Sequence, residues 1–178
     1  MNRAFDSQGN TGLRFALRVA LLFVALFLAA FLTRLPAIYF ASIYALHGVL
    51  AAPFFAAIAT LNVRKGGVGW DFVAALAVLA AVLGAMSPVM GLGFAIVAIV
   101  YAGAWFGLAG VSMPKRAVAC GALLGLACYA APVCLGIAFG SYMVTVGSAP
   151  QIALLALVSI ALGAVGAYAC KGKGIPIN

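Results

Sequence analysis

The side chains able to do chemistry in this chain are few enough to name. The single histidine, His47, closes the segment RLPAIYFASIYALHG (residues 34–48), which also carries Arg34, Tyr39 and Tyr44. Together they offer an imidazole, two phenols and a guanidinium, a set suited to hydrogen bonding and to pairing with an anion. Bond-making chemistry needs acids, bases or nucleophiles within reach of one another. The only carboxylates are Asp6, in a polar tail, and Asp71, at a helix start after GGVGW. Asp71 is placed to cap free N–H groups and to complement the positive end of its helix. One histidine with no carboxylate in the apolar segments makes neither a catalytic triad nor a metal site. Cys120, Cys128, Cys134 and Cys170 lack C-x-x-C spacing, and the three that fall in one apolar segment, Cys120, Cys128 and Cys134, read as small packing residues. No phosphate-binding loop or dinucleotide fingerprint appears. No catalysis, cofactor or metal is expected.

The elements that hold these residues are set by composition. Hydrophobic residues make up 67% of the chain and charged residues 7%, against about 25% charged in soluble domains. Such a chain cannot cover itself with a polar surface. Several apolar runs approach the roughly 20 residues needed to cross a hydrocarbon core. The expected class is therefore an all-α integral membrane protein, a compact bundle of six transmembrane helices. Charges and turn formers place the spans at about 15–33, 44–63, 70–87, 89–111, 117–139 and 149–169. Residues 1–14 and 171–178 form polar tails, and the 15–33 run is too long for a signal-peptide core.

Basic residues orient the bundle. With both termini cytoplasmic, the inner segments hold Arg3, Arg14, Arg18, Arg64, Lys65, Lys115, Arg116, Lys171 and Lys173, and the outer connections hold only Arg34. Six spans satisfy the positive-inside rule, and five or seven would break it. The net charge of +8 is accounted for in this way and is no footprint of nucleic acid. Small residues at four-residue spacing, as in GAWFG (Gly103, Gly107) and GALLG (Gly121, Gly125), supply close-packing surfaces between helices. Pro53 and Pro132 fall inside spans, where they kink helices or free backbone carbonyls.

The layout resembles the substrate-binding S subunits of energy-coupling-factor (ECF) transporters, especially the small, uncharacterised bacterial type. The resemblance covers nearly the whole chain and includes three features of its first part. The first helix has Ala16/Ala20 and Ala25/Ala29. An apolar-aromatic outer loop follows it. Then comes HGVLAAPFFAAIATLNVRKGG (residues 47–67), a proline-bearing second helix ending in a basic turn. The resemblance implies a bacterial cytoplasmic-membrane protein that captures a micronutrient from outside and joins a transmembrane T subunit and two ATPases. It then topples in the bilayer to release its cargo, and the partner chains hydrolyse the ATP. On this reading Ala16, Ala20, Ala25 and Ala29 form one stripe that docks the T subunit. The substrate meets Arg34, Tyr39, Tyr44, His47, Met86, Met90 and Tyr142 at the outer ends of the spans. RLPAIYFAS folds as a cap over the outer mouth, and residues 140–151 act as a lid. Two other classes remain open: a structural or assembly subunit of a larger membrane complex, and a stand-alone carrier or channel.

Overall fold

The structure is a computed structural model that describes residues 3–39, 46–139 and 148–171, with side-chain surroundings from residue 12 onward and, in the first stretch, up to residue 34. It is all-helical: α1 (Arg3–Tyr39), α2 (Leu46–Arg64), α3 (Gly69–Met86), α4 (Pro88–Gly107), α5 (Met113–Ala138) and α6 (Ala149–Cys170). All six are long and apolar enough to cross a membrane. This is a multi-pass membrane bundle.

The chain winds so that α2 and α5 are central. Helix α1 packs on α2 and α3, α3 on α4, and α4 on α5, while α6 lies in the groove between α2 and α5. Consecutive spans alternate in direction, so Arg18, Arg64, Lys115, Arg116 and Lys171 gather at one end of the bundle, termed here the basic end. The main core joins Leu22 and Leu26 of α1, Phe55 of α2, Phe72 and Leu76 of α3, Tyr101 of α4 and Leu124 of α5.

Close backbone approach, more than side-chain bulk, holds α6 in place. A Cβ at Gly125 would overlap the Ser159 carbonyl, and one at Gly163 would overlap the carbonyl of Gly121. Ser159 Oγ donates to the Gly125 carbonyl at 2.6 Å. The GALLG pair therefore serves as a packing surface, as expected. The GAWFG pair does not, because a Cβ at Gly103 or Gly107 would meet nothing. Both internal prolines are absorbed without ending their helices. Pro132 lacks the N–H that would bind the Cys128 carbonyl, and Gly48 of α2 packs directly against that oxygen.

Four boundaries differ from the sequence expectation, the first being the start of α1 at Arg3, inside the residues read as a polar tail. Helix α1 continues through Tyr39, so residues 34–39 extend the helix instead of folding back as a cap. Pro36 removes only one ladder bond, and backbone in apolar surroundings has few partners other than its own ladder. The rest of that segment, with Tyr44, lies outside the described residues. Helix α4 ends at Gly107, not near Val111. Helix α5 begins at Met113, with Pro114 in its first turn, a position where proline's fixed φ favours helix. Lys115 and Arg116 are therefore helical residues, not loop charges.

Candidate functional site

The polar side chains with described partners concentrate at the basic end. Helix α2 stops through its glycines. Gly66 adopts φ 75°, its N–H binds the Val63 carbonyl, and the Gly67 N–H binds the Asn62 carbonyl. These two bonds form a Schellman cap, for which a left-handed glycine is the usual solution. Asn62 is buried and its Nδ2 donates to the Val68 carbonyl at 3.2 Å, which fixes the turn against its own helix. At the start of α3 the Asp71 carboxylate accepts the Val68 N–H at 2.9 Å. This is the acidic half of a capping box, so the local role read from the sequence holds.

A longer-range role was not legible. Asp71 is buried, and Arg18 of α1 lies 3.7 Å from its Oδ2. The same guanidinium donates to the Gly66 carbonyl at 2.9 Å. Arg18 thus ties the peripheral helix to the α2–α3 turn, in addition to contributing to the charge bias.

Beside this turn lies a row of aromatic groups in contact across three helices. Phe72 and Tyr101 ring centroids are 4.7 Å apart, and Tyr101 and Trp105 are 6.1 Å apart and nearly parallel. Arg116 closes the row, with Cζ 4.1 Å from the Trp105 ring centroid and Nη2 donating to the Trp105 carbonyl. That carbonyl belongs to the last turn of α4, where unpaired oxygens give the helix its negative end. Arg116 is 9% exposed, and its Nε has no hydrogen-bond partner. Gly69 leaves the space that the indole fills. Above this closure Thr60, Val63, Tyr101, Trp105, Ala117 and Gly121 line a cleft with no room for water. Chemically the arrangement is a buried guanidinium held over an aromatic face at the C-terminal end of α4. Trp105 and Arg116 were missed as a pair; the spacing of Tyr101 and Trp105, one turn apart in α4, was the available signal.

The residues expected to meet a substrate lie toward the other end. Arg34 is exposed on α1 and His47 is half-buried in the first turn of α2. Met86 is exposed and Met90 half-buried on either side of Ser87, where α3 gives way to α4. Tyr39 ends α1, and its side chain is outside the described set. Tyr44, Tyr142 and residues 140–147 of the expected lid also lie outside it. Among the described residues, no group of three or more His, Cys, Asp or Glu is placed to hold a metal ion.

The expected alanine stripe is not one stripe. Ala16 and Ala20 are exposed, Ala25 is half-buried and Ala29 is buried in the core. Nine residues separate Ala16 from Ala25, which is two and a half turns of a 3.6-residue helix. The two pairs therefore sit on opposite faces, one outward and one inward. Comparison with family models, with curated proteins and with solved structures returns no match to this chain.

Proposed function

We propose that this chain is a substrate-binding S subunit of an ECF-type importer in a bacterial cytoplasmic membrane, with the basic end cytoplasmic. Its substrate is a small micronutrient, and its partners are a transmembrane T subunit and two ATPases. The observation that carries this reading is the outward face of α1. That helix meets the bundle through Leu22, Leu26, Ala29 and Thr33, with Val19, Phe23 and Ala30 partly buried beside them, while Ala16 and Ala20 stay exposed near the basic end. Paired small residues on an exposed helix face allow another helix to approach closely, and such contacts drive association where lipid offers no hydrophobic advantage. Arg18 holds this part of α1 to the α2–α3 turn, so a partner would meet a fixed surface. On this reading Arg34, Tyr39, Tyr44, His47, Met86, Met90 and Tyr142 recognise the substrate from the other end.

Co-expression with a T subunit and its ATPases, followed by pull-down from mild detergent, tests the proposal. The wild-type chain should bring down the ATPases, and Ala16→Leu with Ala20→Leu should lose them while remaining a folded bundle. Recovery of a large complex without ATPases would replace this reading with an assembly subunit. Substrate uptake with no ATPase present would replace it with a stand-alone carrier. On the substrate side, His47→Ala should weaken ligand binding measured by titration calorimetry without altering membrane insertion.

A further inference from the structure

A second feature of the basic end lies on the far side of the bundle from Arg18 and Asp71. Between α5 and α6 runs an open groove of about 390 Å³, lined by Pro114, Lys115, Val118, Ala119, Ala122, Tyr168 and Lys171. Its two cations stand at one level: Lys115 in the first turn of α5, and Lys171 immediately after α6. Lys171 Nζ rests 3.7 Å from the centroid of the exposed Tyr168 ring, which holds the ammonium at the mouth of the groove. From Lys115 the wall descends through Val118, Ala119 and Ala122, about 10 Å along the helix at 1.5 Å per residue. The groove is therefore cationic at its mouth and apolar and narrow-walled below.

Two observations set its depth in a bilayer. Both flanking helices are spans, so their basic ends lie at headgroup level. Tyr168, like the Trp70–Phe106 pair on α3 and α4 with centroids 4.7 Å apart, is an exposed aromatic at that level, where aromatic residues gather at membrane interfaces. Asp71, the one carboxylate among the described side chains, is engaged with Arg18 on α1, so no described carboxylate offsets the groove's charge. The first turn of α5 adds the positive end of its dipole beside Lys115.

The geometry points to a binding site for one anionic phospholipid, its phosphate held between Lys115 and Lys171 and an acyl chain lying over Ala119 and Ala122. Basic pockets between spans at the cytoplasmic face take anionic headgroups, and each basic residue near a membrane surface contributes roughly a fivefold preference. Two lysines should then favour an anionic over a zwitterionic lipid by roughly 25-fold. This inference needs only a chain that spans the membrane, so it stands or falls separately from the importer reading.

Native mass spectrometry tests it on the full chain in neutral detergent, with equimolar phosphatidylglycerol and phosphatidylcholine of identical acyl chains. Wild type should retain one phosphatidylglycerol selectively, and Lys115→Gln with Lys171→Gln should bring the two lipids near parity. Ala119→Trp, which fills the trough and leaves both lysines in place, should reduce retention of either lipid. Three results would overturn the proposal. One is wild-type selectivity in the double lysine variant. Another is displacement of the lipid by millimolar inorganic phosphate, which marks a phosphate site. The third is selectivity that appears only when residues 172–178 are removed, which places the chain's own tail in the groove.

Discussion

Replacing Gly163 with alanine adds one methyl group at the tightest crossing of α5 and α6. In the structure that methyl would lie 3.1 Å from the Gly121 carbonyl carbon and 3.1 Å from the Gly125 Cα, and closer still to the Gly121 oxygen. Carbon atoms rest at about 3.5–4.0 Å, so the helices must separate by roughly 0.5–1 Å. Ser159, one turn away, bonds to the Gly125 carbonyl at 2.6 Å. That bond would stretch to the edge of hydrogen-bonding range, and interhelical bonds of this kind contribute about 0.6 kcal/mol. Overpacking a close interface costs about 1–3 kcal/mol. Alanine returns about 1 kcal/mol through its better helix propensity. The expected net loss is about 0.5–2.5 kcal/mol. Gly103→Ala is the matched control, because its Cβ meets nothing and it keeps only the propensity gain of up to about 1 kcal/mol. Reversible unfolding in mixed micelles, followed by circular dichroism, should therefore move in opposite directions for the two variants. Equal or greater stability of Gly163→Ala would refute backbone contact as the basis of α6 docking.

Three further outcomes follow from the basic end and from α1. Asp71→Ala removes a buried cap and should cost about 1–2 kcal/mol, whereas Arg18→Gln, which touches a pair with one exposed partner, should cost less than about 1 kcal/mol; thermal unfolding in detergent would show the reverse order if the ion pair dominated. Trp105→Ala should cost about 3–5 kcal/mol, and Trp105→Phe should recover part of it by keeping an aromatic face under Arg116; identical losses for the two would remove the aromatic row from the account. Ala29→Leu should destabilise the isolated bundle by about 1–3 kcal/mol through overpacking, while Ala16→Leu should leave it within about 0.5 kcal/mol; equal effects would restore a single stripe.

What was legible in the sequence divides by the distance over which a residue acts. Span number and alternation follow from composition and charge, which need no knowledge of faces. Asp71 as a cap was legible because its partner is three residues away and the turn glycines announce a helix start. Arg18 and Arg116 were counted as charges on one side of a membrane, and that count is indifferent to where a guanidinium points. Arg18 reaches a carbonyl 48 residues along the chain, and Arg116 reaches one 11 residues back on another helix. Small-residue spacing failed for a related reason. GALLG and GAWFG are equivalent as strings, and only the first meets a second small surface, Ser159 and Gly163 of α6. In a chain so rich in alanine and glycine, the informative unit is a pair of small patches on two helices, which no single segment reveals. Ala16, Ala20, Ala25 and Ala29 illustrate the limit from within one helix. Four-residue spacing holds inside each pair, but the five-residue step between the pairs carries the second to the opposite face, and counting 3.6 residues per turn across that step would have separated them.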